Sequence, residues 1–189
     1  MTVSVKRLLN LLAITAFSIC HLSVIPAFAE FECTIPTKIF FTPYDDGLAP
    51  YLALLDRAQN SVYIAIYGFT EPAITNKLIE LHNRGVQIHI VMDRSQSRGK
   101  NQSLQTMELQ DAGIDLVIGT SAFHGQIMHD KFTVVDDRYV EVGSWNYTTS
   151  ATKQDNVLIF ADSPGLASRF MSYWNHIHED ILSQISAHY

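Results

Sequence analysis

Apolar residues recur along this chain in two rhythms, and the change between them divides it. Residues 38–42 read as a brief strand. Leu48, Leu52, Leu55 and Ala58 recur at helical spacing and predict a helix over residues 47–59. Residues 61–69 carry Val62, Ile64 and Ile66 on one face and Tyr63, Ala65 and Tyr67 on the other, the pattern of a strand buried on both sides. Thr70 is placed to cap a helix over residues 71–83, which Gly85 ends. Residues 86–92 predict another strand, and the polar run 93–100 reads as loop. A helix follows as far as Ala112, stopped by Gly113, and residues 114–118 are again strand-like. Up to this point the order is β-α-β-α-β-α-β, which predicts an α/β fold with helices packed on both faces of a central sheet.

Beyond residue 118 the alternation stops. Residues 132–135 and 139–142 predict two strands split by Asp136-Asp137-Arg138, a hairpin signal that makes the sheet mixed. Residues 156–160 add a strand. Pro164 opens a long final helix with Phe170, Trp174, Ile177, Ile181 and Leu182 on its apolar side. There is no repeat and no low-complexity tract. The expected organisation is one domain over residues 38–185 behind a short lead-in, 30–37.

The first 29 residues stand apart. Lys6 and Arg7 precede a mostly apolar stretch to Pro26, and Ala27-Phe28-Ala29 has the small-x-small form that signal peptidase reads. A cleaved signal peptide and an exported protein, periplasmic or secreted, are the expectation. Cleavage would remove Cys20 and leave Cys33 alone, so no disulfide can form within one chain. It would also remove two of the thirteen Lys+Arg and none of the nineteen Asp+Glu, leaving eleven against nineteen, a net charge of −8. Such a balance weighs against strong non-specific grip on a polyanion. Locally, Arg94, Arg98 and Lys100 cluster in one segment, and Lys131 and Lys153 lie near the next feature.

That feature is the run from His129 to Asn146, of the form H-x-K-x4-D-x6-G-S-x-N. Alternate residues of an extended segment face the same way, so His129 should point with Lys131, and Ser144 with Asn146. If the two segments are neighbours, four polar groups converge. Lys131 supplies fixed charge, Asn146 amide donors and Ser144 a hydroxyl. The set suits a phosphodiester, whose oxygens gain charge during displacement. A neutral imidazole can attack phosphorus and form a covalent intermediate that water opens. Taken singly these residues would be ordinary: a histidine at a strand end, a surface lysine, a Ser-x-Asn turn. Asp136 reads as a structural hydrogen-bonding residue rather than a proton carrier.

The motif resembles the signature of the phospholipase D superfamily. Residues 38–43 (KIFFTP), 63–67 (YIAIY), 84–86 (RGV) and 128–132 (MHDKF) resemble its small, single-motif branch of compact bacterial endonucleases and mitochondrial phospholipase-D-like proteins, over roughly residues 38 to 180. The resemblance implies a phospholipase-D-like fold, His129 as nucleophile, Lys131 and Asn146 as phosphate ligands, Ser144 as a nearby ligand, and Asp136 and Gly143 in structural or orienting roles. Relatives commonly carry Glu-Asn before the next strand, where this chain has Asp155-Asn156. The resemblance implies that Asp155 orients the histidine. It implies no metal and no cofactor.

Displacement needs a proton for the leaving oxygen, and a second histidine is a natural donor. Larger relatives hold two motifs in one chain. One copy here predicts a homodimer with twin His129 rings at its axis. His124 is a local rival for general acid. Adjacent acids Asp45-Asp46 and Asp136-Asp137 read as turn or surface charge, and His176 with Asp180 as a solvated helix face rather than metal ligands. Arg98-Gly99-Lys100-Asn101 lacks the preceding glycine and following hydroxyl of a P-loop. An exported phosphate-recognising module without catalysis is the non-enzymatic reading. For an enzyme, the Arg94/Arg98/Lys100 segment and the compact relatives favour a nuclease on DNA or RNA. Export, acidity and the apolar Phe123, Ile127, Met128 and Trp145 beside the motif are compatible with a phospholipid.

Overall fold

The computed structural model describes residues 35–97, 100–123 and 125–186. The segment expected to be a signal peptide, Cys33, Arg98 and His124 lie outside the described residues. Seven strands form one mixed sheet in the order β1-β7-β6-β5-β2-β3-β4. They are β1 (Thr37–Thr42), β2 (Ser61–Ile66), β3 (Gln87–Asp93), β4 (Asp115–Gly119), β5 (Lys131–Val135), β6 (Tyr139–Gly143) and β7 (Asn156–Asp162). β2, β3 and β4 run parallel, while β5, β6, β7 and β1 continue the sheet antiparallel. The helices are α1 (Leu48–Leu55), α2 (Pro72–Asn83), α3 (Arg94–Ser97), α4 (Lys100–Asp111) and α5 (Pro164–Ser186).

Two apolar layers hold the sheet, as the two-faced pattern of β2 requires. Val62, Ile64 and Ile66 join Leu55 of α1, Ile74 and Leu78 of α2 and Leu109 of α4 on one side. Ala65, Val91, Phe132 and Val134 meet Ala167, Trp174, Ile177 and Ile181 of α5 on the other. The Trp174 indole also donates to the Ile64 carbonyl at 2.8 Å, pinning α5 across the central strand. Leu182, expected on that apolar side, is instead 41% exposed.

Several element ends differ from the sequence reading. α1 stops at Leu55 rather than continuing to residue 59, because the backbone N–H groups of Gln59, Asn60 and Ser61 turn to the Asp136 carboxylate at 2.8–2.9 Å. β2 stops at Ile66, three residues early. The cap of α2 is Glu71, not Thr70: its carboxylate accepts from the Ala73 N–H at 3.3 Å. The polar run after β3 contains the short helix α3, where Asp93 accepts from the N–H and the hydroxyl of Ser95. The β5–β6 hairpin forms as expected, with φ of 51° and 52° at Asp136 and Asp137.

A polar chain runs through the larger core layer. Tyr51 meets Thr133, Thr133 meets Tyr147, and Tyr147 donates to Glu141, each at 2.7 Å. All four are fully buried. Since Tyr147 gives its proton to Glu141, Thr133 must donate to Tyr147 and Tyr51 to Thr133. Burial pushes the Glu141 carboxyl up from 4.5 to about 8, against the opposing hydrogen bond from Tyr147. A folded-state value raised in this way gives stability that is complete below the unfolded value of 4.5. It is withdrawn as pH climbs through the window from there to about 8. Replacing Glu141 by Gln should remove that dependence. Between pH 5 and 8 the melting temperature of wild type should fall relative to Glu141→Gln; parallel curves would contradict the buried neutral acid.

Candidate active site

The two halves of the motif meet where β2 leaves the sheet. Ile66 still pairs with Lys131, and the Tyr67 N–H then donates to the Asp130 carbonyl at 2.9 Å, carrying the pairing one residue past β5. His129 lies just beyond, with its ring centroid 4.6 Å from that of Tyr67. Lys131 Nζ lies 5.1 Å from the same ring and donates to the His129 carbonyl at 2.7 Å. His129 and Lys131 therefore approach one aromatic ring, in keeping with the expected alternation. Burial lowers the Lys131 ammonium from the ordinary lysine value, opposed by Asp130 beside it. Burial likewise raises Asp130, opposed by a hydrogen bond from Tyr173 on α5 and by Lys131 and His129.

Asn146 arrives from the other side. After Gly143 the chain leaves β6: Ser144 N–H still bonds to Val157 of β7, while Tyr147 N–H bonds to the Gly68 carbonyl at 2.9 Å. Three residues thus cross over the end of β5, a lateral span of roughly 10 Å at ordinary strand spacing. The crossing sets Asn146 against Gly68, whose N–H donates to Asn146 Oδ1 at 3.1 Å. An N–H can only donate, so the amide oxygen faces Gly68 and the NH2 group is left to donate elsewhere. A Cβ at residue 68 would stand 3.2 Å from Asn146 Oδ1, close enough to press on the amide.

Ser144 does not join this group. Its hydroxyl donates to Asn156 Oδ1 at 3.0 Å and accepts from Val157 N–H at 3.1 Å. It faces β7 because the crossing begins only after it, so its single proton ties two strands together. Asp155 lies with Ser144, Phe41 and Tyr44 in a shallow surface pocket at the start of β7. β6 separates β7 from β5, so the orienting bond from Asp155 to His129 is not made within this chain. Gly143 is needed for sheet closure, since a Cβ there would collide with the Val157 carbonyl. Asp136 lies at the far end of β5, where its carboxylate accepts from the N–H groups of Gln59, Asn60 and Ser61.

Sequence reasoning missed four contributors. Tyr67 and Gly68 end the apolar run of β2 and receive both motif halves. Asp93, fully buried, accepts from the Met128 N–H at 2.8 Å and so fixes the residue before His129. Gln96 of α3 donates to the Tyr67 hydroxyl at 2.8 Å. The available signal was position, because the ends of parallel strands are where α/β sheets assemble sites.

His129 also lines a cleft of about 400 Å³ with Phe123, Ile127, Tyr173, His176 and Asp180. His176 and Asp180 share a helix face, 3.5 Å apart. Among the described residues no group of three or more His, Cys, Asp or Glu side chains could hold a metal ion. The site offers a histidine, a fixed cation and an outward amide, a set suited to a tetrahedral anion.

Comparison with known proteins agrees with this fold. The sequence profile of the family described as "Cardiolipin synthase, PLD-like domain" matches residues 51–178. A "Phospholipase D" of Rickettsia felis is 37% identical over 137 residues, which cover 71% of this chain and 65% of that protein. The chain thus spans somewhat less than two thirds of that relative's length. A "Mitochondrial cardiolipin hydrolase" of Chlamydomonas reinhardtii is 29% identical over 68% of this chain and 58% of its own length. Among solved structures, Nuc of Salmonella typhimurium, a phospholipase D family member, superposes with a TM-score of 0.72 and 29% identity. That match covers 77% of this chain and 95% of Nuc.

The hairpin anchor is testable apart from chemistry. Asp136→Ala leaves three backbone donors without their carboxylate and should destabilise the fold by about 1–3 kcal/mol. Asp136→Asn, which keeps one acceptor oxygen, should be milder. Urea midpoints measure both; an unchanged midpoint for Asp136→Ala would refute the anchoring role.

Proposed function

The chain belongs to the phospholipase D superfamily, and from that premise we propose that it is an exported, metal-independent phosphodiesterase acting through a phosphohistidine. The convergence of His129, Lys131 and Asn146 on Tyr67–Gly68 supports this reading above all. An imidazole nitrogen of His129 attacks phosphorus, the N–P bond forms, and the P–O bond to the leaving alcohol breaks. A protonated second imidazole gives its proton to that oxygen. Water then attacks phosphorus and the N–P bond breaks. The second imidazole takes the water proton, and a phosphomonoester leaves. Lys131 and the Asn146 amide hold the phosphoryl oxygens as their charge grows.

The second imidazole belongs to another copy of the chain. Asp155, two strands from its own His129, has a remaining route to an imidazole across the dimer axis. Ile39 and Phe41 of β1 are 51% and 54% exposed, and Phe41 lies beside Ser144 and Asp155, so this edge supplies apolar area for such a contact. The preferred substrate is DNA or RNA. The basic segment opened by Arg94 follows directly on Asp93, which holds Met128, so it begins beside the His129 segment. A phospholipid is the second reading, favoured by the apolar rim of the His129 cleft, where Phe123, Ile127 and Tyr173 are 77%, 43% and 47% exposed.

Purified protein should cleave plasmid, single-stranded DNA or RNA equally well with and without EDTA, and His129→Asn should bind but not cleave. Release of head group from phosphatidylcholine vesicles without nucleic-acid cleavage would reverse the substrate ranking. Loss of activity in EDTA would overturn metal independence. Mass measurement should give a dimer; a monomer with full activity on dilution would refute the shared site.

A further inference from the structure

Tyr67 touches both His129 and Lys131, yet the chemistry just described uses it for nothing. It is half-buried and belongs to neither apolar layer. Its ring meets the His129 imidazole at 4.6 Å and an interplanar angle of 60°, and the Lys131 ammonium at 5.1 Å. Its hydroxyl accepts from Gln96 of α3, outside the sheet. Resting on the reading of His129 as nucleophile, we infer that Tyr67 is a positioning residue whose ring, locked by Gln96, holds the His129 imidazole and the Lys131 ammonium as one rigid unit.

The His129 ring makes no other ring contact among the described residues. It is exposed, and among the described residues no hydrogen bond engages it. An imidazole left free would sample several rotamers, and attack on phosphorus requires one. The Tyr67 ring removes that freedom on one side while leaving the other open to substrate.

Lys131 has a matching need. Its ammonium carries three donors. One goes to the His129 carbonyl, and the face of Tyr67 offers an electron-rich surface to the cation. What remains can be turned to a phosphoryl oxygen. Because Lys131 is only 6% exposed, little water compensates for a lost ring. The charged and titratable groups around it are His129 and Asp130 on its own segment, Tyr173 of α5 acting through Asp130, and Asp93 of β3, which holds Met128.

Gln96 makes the arrangement rigid. A tyrosine at the end of a strand can swing about its first side-chain torsion, and the bond to α3 prevents this. The residue that reads as loop polarity in the sequence thereby acts on the nucleophile at second hand. Tyr67 and Gln96 should then behave as one unit, with effects that do not add.

The test compares wild type, His129→Asn, Tyr67→Leu, Tyr67→Phe, Gln96→Leu and the Tyr67→Phe/Gln96→Leu double variant on bis(4-nitrophenyl) phosphate, with melting curves for each. Tyr67→Leu should melt as a folded protein and lose roughly 10- to 100-fold in kcat with KM changed by less than about threefold. Tyr67→Phe keeps the ring but loses the bond to Gln96, and its rate should fall between those of wild type and Tyr67→Leu, as should that of Gln96→Leu. The double variant should be no worse than the poorer single one. Unaltered kcat in Tyr67→Leu, or fully additive losses in the double variant, would overturn the positioning role. Wild type without activity on this diester, or His129→Asn as active as wild type, would instead defeat the functional reading on which it rests. If Tyr67→Leu fails to fold, matched losses of kcat in Tyr67→Phe and Gln96→Leu support the positioning role, and wild-type kcat in both overturns it.

Discussion

The exit of β2 from the sheet at Tyr67–Gly68 is the constraint on which the site depends. The residues that carry the chemistry come from segments fifteen positions apart, one entering β5 and one leaving β6, and neither segment holds its own geometry. The ring of residue 67 receives His129 and Lys131, and the N–H of residue 68 receives Asn146. Two consecutive residues just past the end of a central strand thereby bracket the whole constellation. A central strand is a sound place for such a bracket, because both of its faces are packed and its neighbours are hydrogen-bonded on either side.

The core beneath is arranged to the same end. Tyr147 follows Asn146, and its backbone is joined to residues 68, 70 and 71. Its side chain reaches down to Glu141 and Thr133, the latter two residues from Lys131. The crossing from β6 to β2 is consequently held from above by backbone bonds and from below by a buried hydroxyl–carboxyl chain. Buried polar groups of this kind are tolerable when satisfied, and they specify one arrangement in a way apolar packing does not. Glu141 Oε1 and the Trp145 indole N–H remain without hydrogen-bond partners among the described residues, so the satisfaction is incomplete. In its neutral form Glu141 is the better tenant of that interior.

Much of the fold was legible, and the reasons are local. The alternation of β2, the glycine after α4 and the Asp-Asp hairpin each contain their own instruction within a few residues. The sheet order was less accessible, since β1 pairs with β7 across the length of the domain. Element ends failed where a distant group intervened: the Asp136 carboxylate truncates α1 from 75 to 77 positions away. For the site, His129, Lys131 and Asn146 were found by type and spacing. Ser144 was expected to share their direction because an extended segment was assumed as far as Asn146. The crossing over β5 breaks that period. Tyr67, Gln96 and Asp93 were hidden because each acts through a contact between segments.

The most direct measurement is chemical trapping of the covalent state. Protein mixed with a diester labelled at phosphorus, quenched within milliseconds and digested, should yield one phosphorylated peptide, with the label on an imidazole nitrogen of His129. The adduct should be acid-labile and absent from His129→Asn. A turning-over enzyme that never carries label, or carries it on another residue, would contradict the account at its centre.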